Sequence, residues 1–424
     1  MAQTTSKAAA KAAGAPPRGR SLLSGISRLF CQLMIGLILV VVLPFAHILY
    51  MIASGAGEFG GTLAQADRLK EMYPYHFVPL CNFAAWAQSA SNSYTKEYYT
   101  EQRPIVLRSA REFELHPYFA GLDASSDTWH DLIHARTRHF LAQLRESGRD
   151  DFKLEKDRCT MFSFYSRHKL PILPVHGVWR DLDQLVGAVR SGAAFANVTR
   201  WPIFWKACHL TQSSSAGTRA QHGPLDAEQL DSLVSWIRQK WEFRANDYER
   251  VWAEAGNQIT QGIPPGFLLQ APMTVDRQEW RVDGRISVGL PEVRVEVVWG
   301  YAYLAVLDGT QVILRNNIVQ DFSSVHTFFR SPVPVLDHWT IVEGHAECMW
   351  RVAEEAARLA GVDSIRMDIF LNRAQPSECI INENSLSSGI VYWGHEPYLT
   401  QAWAEPHRTR EYKLRDTDVR VHAQ

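Results

Sequence analysis

Two short apolar runs near the C-terminus, each carrying a carboxylate, constrain this chain more than any other feature. The first reads Ser364-Ile365-Arg366-Met367-Asp368-Ile369-Phe370 and the second Ile380-Ile381-Asn382-Glu383-Asn384-Ser385. They predict two adjacent strands joined by the polar turn from Asn372 to Glu378. Alternate side chains of a strand share a face, so Arg366, Asp368 and Phe370 point one way, as do Glu383 and Ser385. Carboxylates that meet across a sheet repel unless a cation sits between them. Hard oxygen ligands at that spacing suit Mg²⁺ carrying the phosphates of a nucleotide. The plain alternative is a hairpin with its charges on a solvated face.

The N-terminus sets a second constraint. No Asp or Glu precedes Glu58, and Lys7, Lys11, Arg18, Arg20 and Arg28 lead into an apolar stretch from Leu29 to Ala53, broken only by Gln32, Pro44 and His47. A helix of that length spans a hydrocarbon core of roughly 30 Å, and Pro44 kinks it without forbidding it. The basic flank lies upstream, so the positive-inside rule predicts a cytosolic N-terminus with the bulk of the chain on the far side. The expected organisation is a basic tail over 1–28, a signal anchor over 29–53, a stem over 54–100 and a catalytic domain over 101–424. A Golgi-like lumen is the expected location, with an organelle interior as the second choice. A signal peptide cleaved near Ala53-Ser54-Gly55 and a transit peptide are the alternatives. The 424 residues allow two or three packed subdomains, and a formal net charge of −1 argues against a general nucleic-acid binder. Cys31, Cys81, Cys159, Cys208, Cys348 and Cys379 show no metal spacing. The five beyond the anchor leave at least one unpaired, so no disulfide framework is expected. One glycosylation sequon, Asn197-Val198-Thr199, matters only in a secretory lumen.

Between these ends, strands and helices mix without strict βαβ alternation, which predicts an α+β (mixed α/β) class. Strands are expected at Pro104–Leu107, Arg200–Ala207, Phe267–Leu269, Arg294–Leu307 and Gln311–Leu314, with Pro171–Val178 extended. Helices are expected at Asp127–Glu146, Leu182–Val189, Ala227–Ala255 (capped by Asp226) and Thr340–Gly361.

Four upstream features align with the acidic hairpin. Glu155-Lys156-Asp157 precedes Ile172-Leu173-Pro174. Phe204-Trp205-Lys206 ends a strand before the small-residue loop Gln212-Ser213-Ser214-Ser215-Ala216-Gly217-Thr218, whose N–H groups and hydroxyls suit phosphate oxygens. Leu268 to Met273 ends a strand with backbone suited to an adenine edge, and Glu292-Val293-Arg294 adds a cation on a strand. This order of parts resembles the ATP-grasp superfamily, most closely the branch typified by the teichuronopeptide-biosynthesis protein, over residues 150–395.

The resemblance implies a nucleotide held between two α+β subdomains, with ATP and Mg²⁺ as cofactors. Lys156 and Lys206 would hold the α- and β-phosphates, with Ser213, Ser214, Ser215 and Gly217 closing over them. Gln270 to Met273 would form the adenine hinge, although many relatives carry an acidic residue where Gln270 stands. Arg294 and Arg366 would be catalytic, neutralising transition-state charge. Asp368, Glu383 and Ser385 would ligate the metal, Ser385 standing where most relatives have Asn or Thr. The implied reaction is activation of a carboxylate to an acyl phosphate, then attack by a nucleophile. Its target would be a carboxylate-bearing glycan or peptide, with no role for nucleic acid. The serine-rich loop and Ser385 also leave room for a degenerate protein that binds nucleotide without full activity.

Other classes compete. Asp181-Leu182-Asp183 suits the metal and sugar diphosphate of a lumenal type II glycosyltransferase, or Asp181 simply caps a helix. His130 and His134 share a helix face as zinc ligands would, yet also read as a polar face continued by His139. Trp393, His395 and Tyr398 could line an acceptor pocket or simply pack. An ATP-dependent enzyme in a lumen also requires ATP to be supplied there.

Overall fold

The computed structural model describes residues 30, 32–55, 69–77, 79–80, 93–125, 128–148, 152–210, 217–244, 253–273, 278–282, 285–307, 311–321, 340–341, 343–372, 374–389 and 392–416. It divides into two compact units, Met1–Leu80 and Cys81–Gln424.

In the first unit a wide helical turn at Ile38–Val42 runs into α1 (Leu43–Gly55). Gln32–Tyr50, with mean hydropathy 2.5, is long and apolar enough to cross a membrane. Pro44 has no N–H to give the carbonyl four residues earlier. That carbonyl, on Val40, lies 2.7 Å from Nε2 of His76, and His47 Nδ1 lies 2.5 Å from the Tyr73 hydroxyl. The carbonyl that Pro44 frees and the His47 ring are thus both met from within their own unit.

The second unit is a mixed α/β body that opens with α2 (Ser93–Glu112) and β1 (Glu114–Leu115). Next come α3 (Trp129–Ser147), the single turn α4 (Lys153–Lys156) and α5 (Arg158–Arg167). Then follow β2 (Val175–Trp179), α6 (Leu182–Arg190), β3 (Ile203–Ala207), β4 (Thr218–Gln221), α7 (Ala227–Glu242), α8 (Ala253–Gln261) and β5 (Phe267–Gln270). After the hairpin β6 (Gln278–Val282) and β7 (Arg285–Gly289) come β8 (Glu292–Val298), β9 (Tyr301–Leu307), β10 (Gln311–Leu314) and β11 (Val319–Asp321). The chain ends through α9 (His345–Ala360), β12 (Ser364–Leu371), β13 (Cys379–Ser385), α10 (Glu396–Thr409) and β14 (Lys413–Leu414).

Two antiparallel sheets organise this body, one of four strands in the order β2-β5-β3-β4 and one of six in the order β11-β10-β9-β8-β12-β13. Val293, Val295, Val297 and Val298 of β8 and nearly all of β9 are buried. Burial along β9 needs cover on both faces, whereas β8 alternates at its start, with Arg294 exposed between Val293 and Val295. Helix α9 contributes Met349, Trp350, Ala353, Ala356 and Ala357 at helical spacing to the same core. It stops at Gly361, whose φ of 62° is left-handed and favours glycine.

Several sequence expectations are corrected. Pro104–Leu107 lies inside α2 rather than in a strand, because buried Thr95, Tyr98, Gln102, Val106 and Ala110 recur every three or four residues. That helix begins inside the expected stem, and the Tyr98 hydroxyl donates to the Tyr303 carbonyl of the second unit. Ala227–Ala255 is two helices. The first stops at Glu242, where Nε2 of His209 bonds the carbonyls of Lys240 and Phe243. Arg294–Leu307 folds back on itself at Trp299-Gly300, both with positive φ, to give β8 and β9. The helix expected from Thr340 begins at His345. Ala56 to Thr62 and the Asp308-Gly309 turn lie outside the described residues. Cysteines are also paired after all, Cys159 with Cys208 and Cys348 with Cys379. Separations of 49 and 31 residues leave no local spacing from which to read either pair.

A buried polar knot ties α3 and α10 to the start of β12. Asp363 accepts from Arg136, from Trp403 Nε1 at 2.8 Å and from His407 Nε2 at 2.5 Å. Burial opposes its charge, but Arg136 and His407 outweigh that and hold its pKa below the ordinary carboxylate value. We expect Asp363→Ala to cost about 3–5 kcal/mol, because it strands a buried arginine. Urea unfolding checks this, and a loss below ~1 kcal/mol would contradict it.

Candidate functional site

The two sheets and the α4–α5 turn enclose a cavity of about 480 Å³. The strand alternation explains which side chains reach it. On β12 the lining residues are Arg366, Asp368 and Phe370, and on β8 they are Glu292 and Arg294, each two apart. In register, Asp368 stands opposite Glu383 on one side and Arg294 on the other, while Arg366 stands opposite Ser385. The β12–β13 ladder shifts between Asp368 and Ile369, leaving Asn382 unpaired. A bulge of this kind re-aims side chains, so the consecutive Asn382 and Glu383 both line the cavity. The four-stranded sheet contributes Phe204, Lys206, Thr218 and Gln270, with Met273 just beyond, and the α4–α5 turn contributes Glu155, Lys156 and Arg158.

Charge is dense here. The cations are Lys156, Arg158, Lys206, Arg294 and Arg366, and the carboxylates are Glu155, Glu292, Asp368 and Glu383. Arg366 grips Asp368 with two bonds of 2.7 and 2.8 Å. Burial opposes the guanidinium's charge, but Asp368 outweighs it and holds Arg366 firmly protonated. Arg158 lies 3.5 Å from Glu383. Glu155 accepts from Lys156 at 2.8 Å, Ser385 at 2.9 Å and Ser387 at 2.6 Å. Burial pushes its pKa up, yet Lys156 and the two hydroxyls leave it below the usual carboxylate value. Lys206 Nζ bonds the Asn382 amide oxygen at 3.3 Å, and Asn382 donates to Glu292 at 2.6 Å. Burial, aided by the neighbouring Arg158, pulls Lys206 down to about 8. Burial and Asp368 raise Glu292. In the core beside β12, burial lifts Glu296 to about 7, and it accepts from the Tyr392 hydroxyl.

Both disulfides brace these walls. Cys159–Cys208 joins the start of α5, next to Arg158, to the residue after β3, which carries Lys206. Cys348–Cys379 joins α9 to the first residue of β13.

Of the residues singled out in the sequence, Lys156, Lys206, Gln270, Met273, Arg294, Arg366, Asp368, Glu383 and Ser385 line this cavity. Ser213, Ser214 and Ser215 lie outside the described residues. Gly217 is at the entry to β4 and is not a lining residue, and a Cβ there would meet Leu210 Cβ at 2.7 Å. Ser385 reaches the cavity, but its hydroxyl donates to Glu155 and accepts the Ser387 N–H at 3.2 Å. Arg158, Glu292 and Asn382 were given no role from the sequence. Glu292 was visible two residues before Arg294, whereas the bulge that delivers Asn382 has no local signature.

The competing motifs lie elsewhere. Asp181 caps α6 by accepting the Gln184 N–H at 2.8 Å, and Asp183 is exposed on its first turn. His130 Nδ1 sits 3.7 Å from Glu396. Among the described residues, the one cluster of three His, Cys, Asp or Glu groups close enough to share a metal is Asp157, Cys159 and Cys208. Its two sulfurs are bonded to each other. His395 packs against Tyr98 and Tyr303 and contacts Gln320, while Tyr398 stacks on Tyr99 at 4.7 Å, so neither lines the cavity.

No family model matches the chain, and no curated protein matches its sequence. Among solved structures it is similar to the D-alanine–D-alanine ligase from Coxiella burnetii, at 11% identity and a TM-score of 0.36, covering 62% of this chain and 60% of that one. It is also similar to a RimK domain ATP-grasp protein from Sphaerobacter thermophilus, at 10% identity and a TM-score of 0.32, over 60% of this chain and 68% of that one. A third is the ATP-grasp ligase PsnB complexed with a precursor peptide and AMPPNP, at 13% identity and a TM-score of 0.30, over 66% and 67%. The chain therefore spans less than two thirds of the Coxiella ligase, and likenesses this distant assign no activity.

Lys206 attracts an anion only while its ammonium is protonated. With its pKa pulled to about 8, the affinity of the cavity for inorganic tripolyphosphate should fall as pH rises through and above that value. Lys206→Met should bind more weakly and flatten the profile. Titration calorimetry across pH 6.5 to 9.5 checks this, and a profile unchanged by the substitution would assign the charge to another group.

Proposed function

We propose that the chain is an ATP-dependent carboxylate ligase of the ATP-grasp type, tethered to a membrane by its N-terminal helix. The observation that carries this reading is the meeting of cations and carboxylates from two sheets in one cavity of about 480 Å³. That volume suits a small ligand of nucleotide size. The donor set fits both halves of a metal–nucleotide pair, with lysines and arginines for phosphate oxygens and facing carboxylates for a hard divalent cation.

In this reading Lys156 and Lys206 hold the α- and β-phosphates. Arg294 and Arg366 sit where charge accumulates on the transferred group, and fixed cations in a water-poor site stabilise that charge strongly. Asp368 and Glu383, opposite each other across the β12–β13 ladder, hold Mg²⁺, which would neutralise phosphate charge and align the reacting oxygens. Ser385 donates its hydroxyl proton to Glu155, which orients Glu155 and through it Lys156, and its oxygen keeps a lone pair that would serve the metal beside Asp368 and Glu383. Gln270 and Met273 border the base. The acceptor, a carboxylate-bearing glycan or peptide, is proposed from what the family resemblance implies. The glycosyltransferase reading has no geometric support at Asp181, which is committed to its helix cap.

Calorimetry of the full chain with ATP and with UDP-sugars, with and without Mg²⁺, tests the proposal. We expect Mg²⁺-dependent ATP binding that weakens at least about tenfold, ~1.4 kcal/mol, in Asp368→Asn combined with Glu383→Gln. UDP-sugar binding that survives the double substitution would contradict it. ATP binding without ADP release in the presence of carboxylate acceptors would identify a nucleotide-binding protein instead of a ligase.

A further inference from the structure

We infer that the second unit folds on the lumenal side of a secretory membrane and that Asn197 is an N-glycan acceptor there. Three independent observations agree, and none rests on the nucleotide reading.

The first is the placement of the sequon. Asn197-Val198-Thr199 is the single Asn-x-Ser/Thr in the chain. It follows a helical turn at Ala193–Phe195 and is held by the Val198 N–H to the Phe195 carbonyl at 3.0 Å. Val198 packs against the small core of the four-stranded sheet, whereas Asn197 and Thr199 are both exposed. A bulky glycan must stay in solvent once the chain has folded, and the exposed Asn197 side chain meets that requirement. No sequon residue lines the cavity, so a glycan there leaves the site open.

The second is cysteine pairing. Cys159, Cys208, Cys348 and Cys379 are all buried and form two bonds within this unit. Buried disulfides joining distant elements persist in oxidising compartments and are rare where glutathione keeps thiols reduced. The third is the charge asymmetry around the apolar helix. Five basic residues precede it, against two, Arg68 and Lys70, in the twenty residues after Ala53, a bias that favours the preceding segment in the cytosol and the rest across the membrane.

The chemistry balances with reagents of that compartment. The Asn197 amide nitrogen forms a C–N bond to the terminal sugar of a polyprenyl-diphosphate-linked oligosaccharide. The sugar–diphosphate C–O bond breaks, the amide proton is lost and the polyprenyl diphosphate leaves. Each disulfide forms as two thiols pass two electrons and two protons to a disulfide-bearing oxidoreductase, which is reduced to its dithiol.

The test is expression of the full chain in a cell with a secretory pathway, beside Asn197→Gln and Thr199→Ala. Both substitutions are exposed and outside the cavity. The expected result is a single mobility shift removed by peptide N-glycosidase and lost completely in both variants, with the four cysteines resisting alkylation until reduced. An unshifted chain whose four cysteines alkylate without reduction would overturn the inference. Blocked cysteines without a shift, or a shift that persists in both variants, would overturn Asn197 as the acceptor.

Discussion

The ion pair between Arg366 and Asp368 is the contact on which the candidate site depends. Both groups are largely removed from water, and a buried charge is tolerated only with its partner in good geometry. Here two short bonds from one guanidinium to one carboxylate meet that demand. The pairing follows from the backbone, since residues two apart on a strand share a face. The same register then sets Arg294 and Glu383 on either side of Asp368. Two cations and two carboxylates are thereby fixed on one sheet before any contribution from elsewhere in the molecule.

The opposing wall brings the remaining charge, and the covalent links hold it there. Lys206 stands two residues before Cys208, and Lys156 three residues before Cys159, so one disulfide spans the two segments that carry the lysines. Arg158 adds noncovalent ties, with its N–H bonded to the Cys208 carbonyl at 2.9 Å and its guanidinium to the Leu210 carbonyl at 3.1 Å. Pre-placed cations lose little freedom when an anion arrives. A lysine held where burial already weakens its proton gains most from a phosphate beside it.

Much of this site was legible in the sequence because strand alternation is a local rule. The spacing of Arg366, Asp368 and Phe370, and of Glu292 and Arg294, follows from side chains two apart sharing a face. The Asp226 cap of α7 was readable for the same reason, and the structure shows the reciprocal bonds between Asp226 and Gln229. What could not be read depended on contacts distant in sequence. Pro104 passes for a strand residue until the packing of Tyr98 on β9 is known. The break after Glu242 depends on His209, more than thirty residues earlier. The bulge at Asn382 and both disulfides are likewise products of tertiary register. Ser385 was expected as a metal ligand from its position in a motif, and the bond of its hydroxyl to Glu155, 230 residues away in sequence, had no local signal.

The most direct test of the central claim is a crystal structure of the protein with Mg²⁺ and a non-hydrolysable ATP analogue. The account predicts phosphates against Lys156, Lys206, Arg294 and Arg366, metal between Asp368 and Glu383, and the base beside Gln270 and Met273. An analogue bound outside this cavity, or metal held without Asp368 and Glu383, would contradict it.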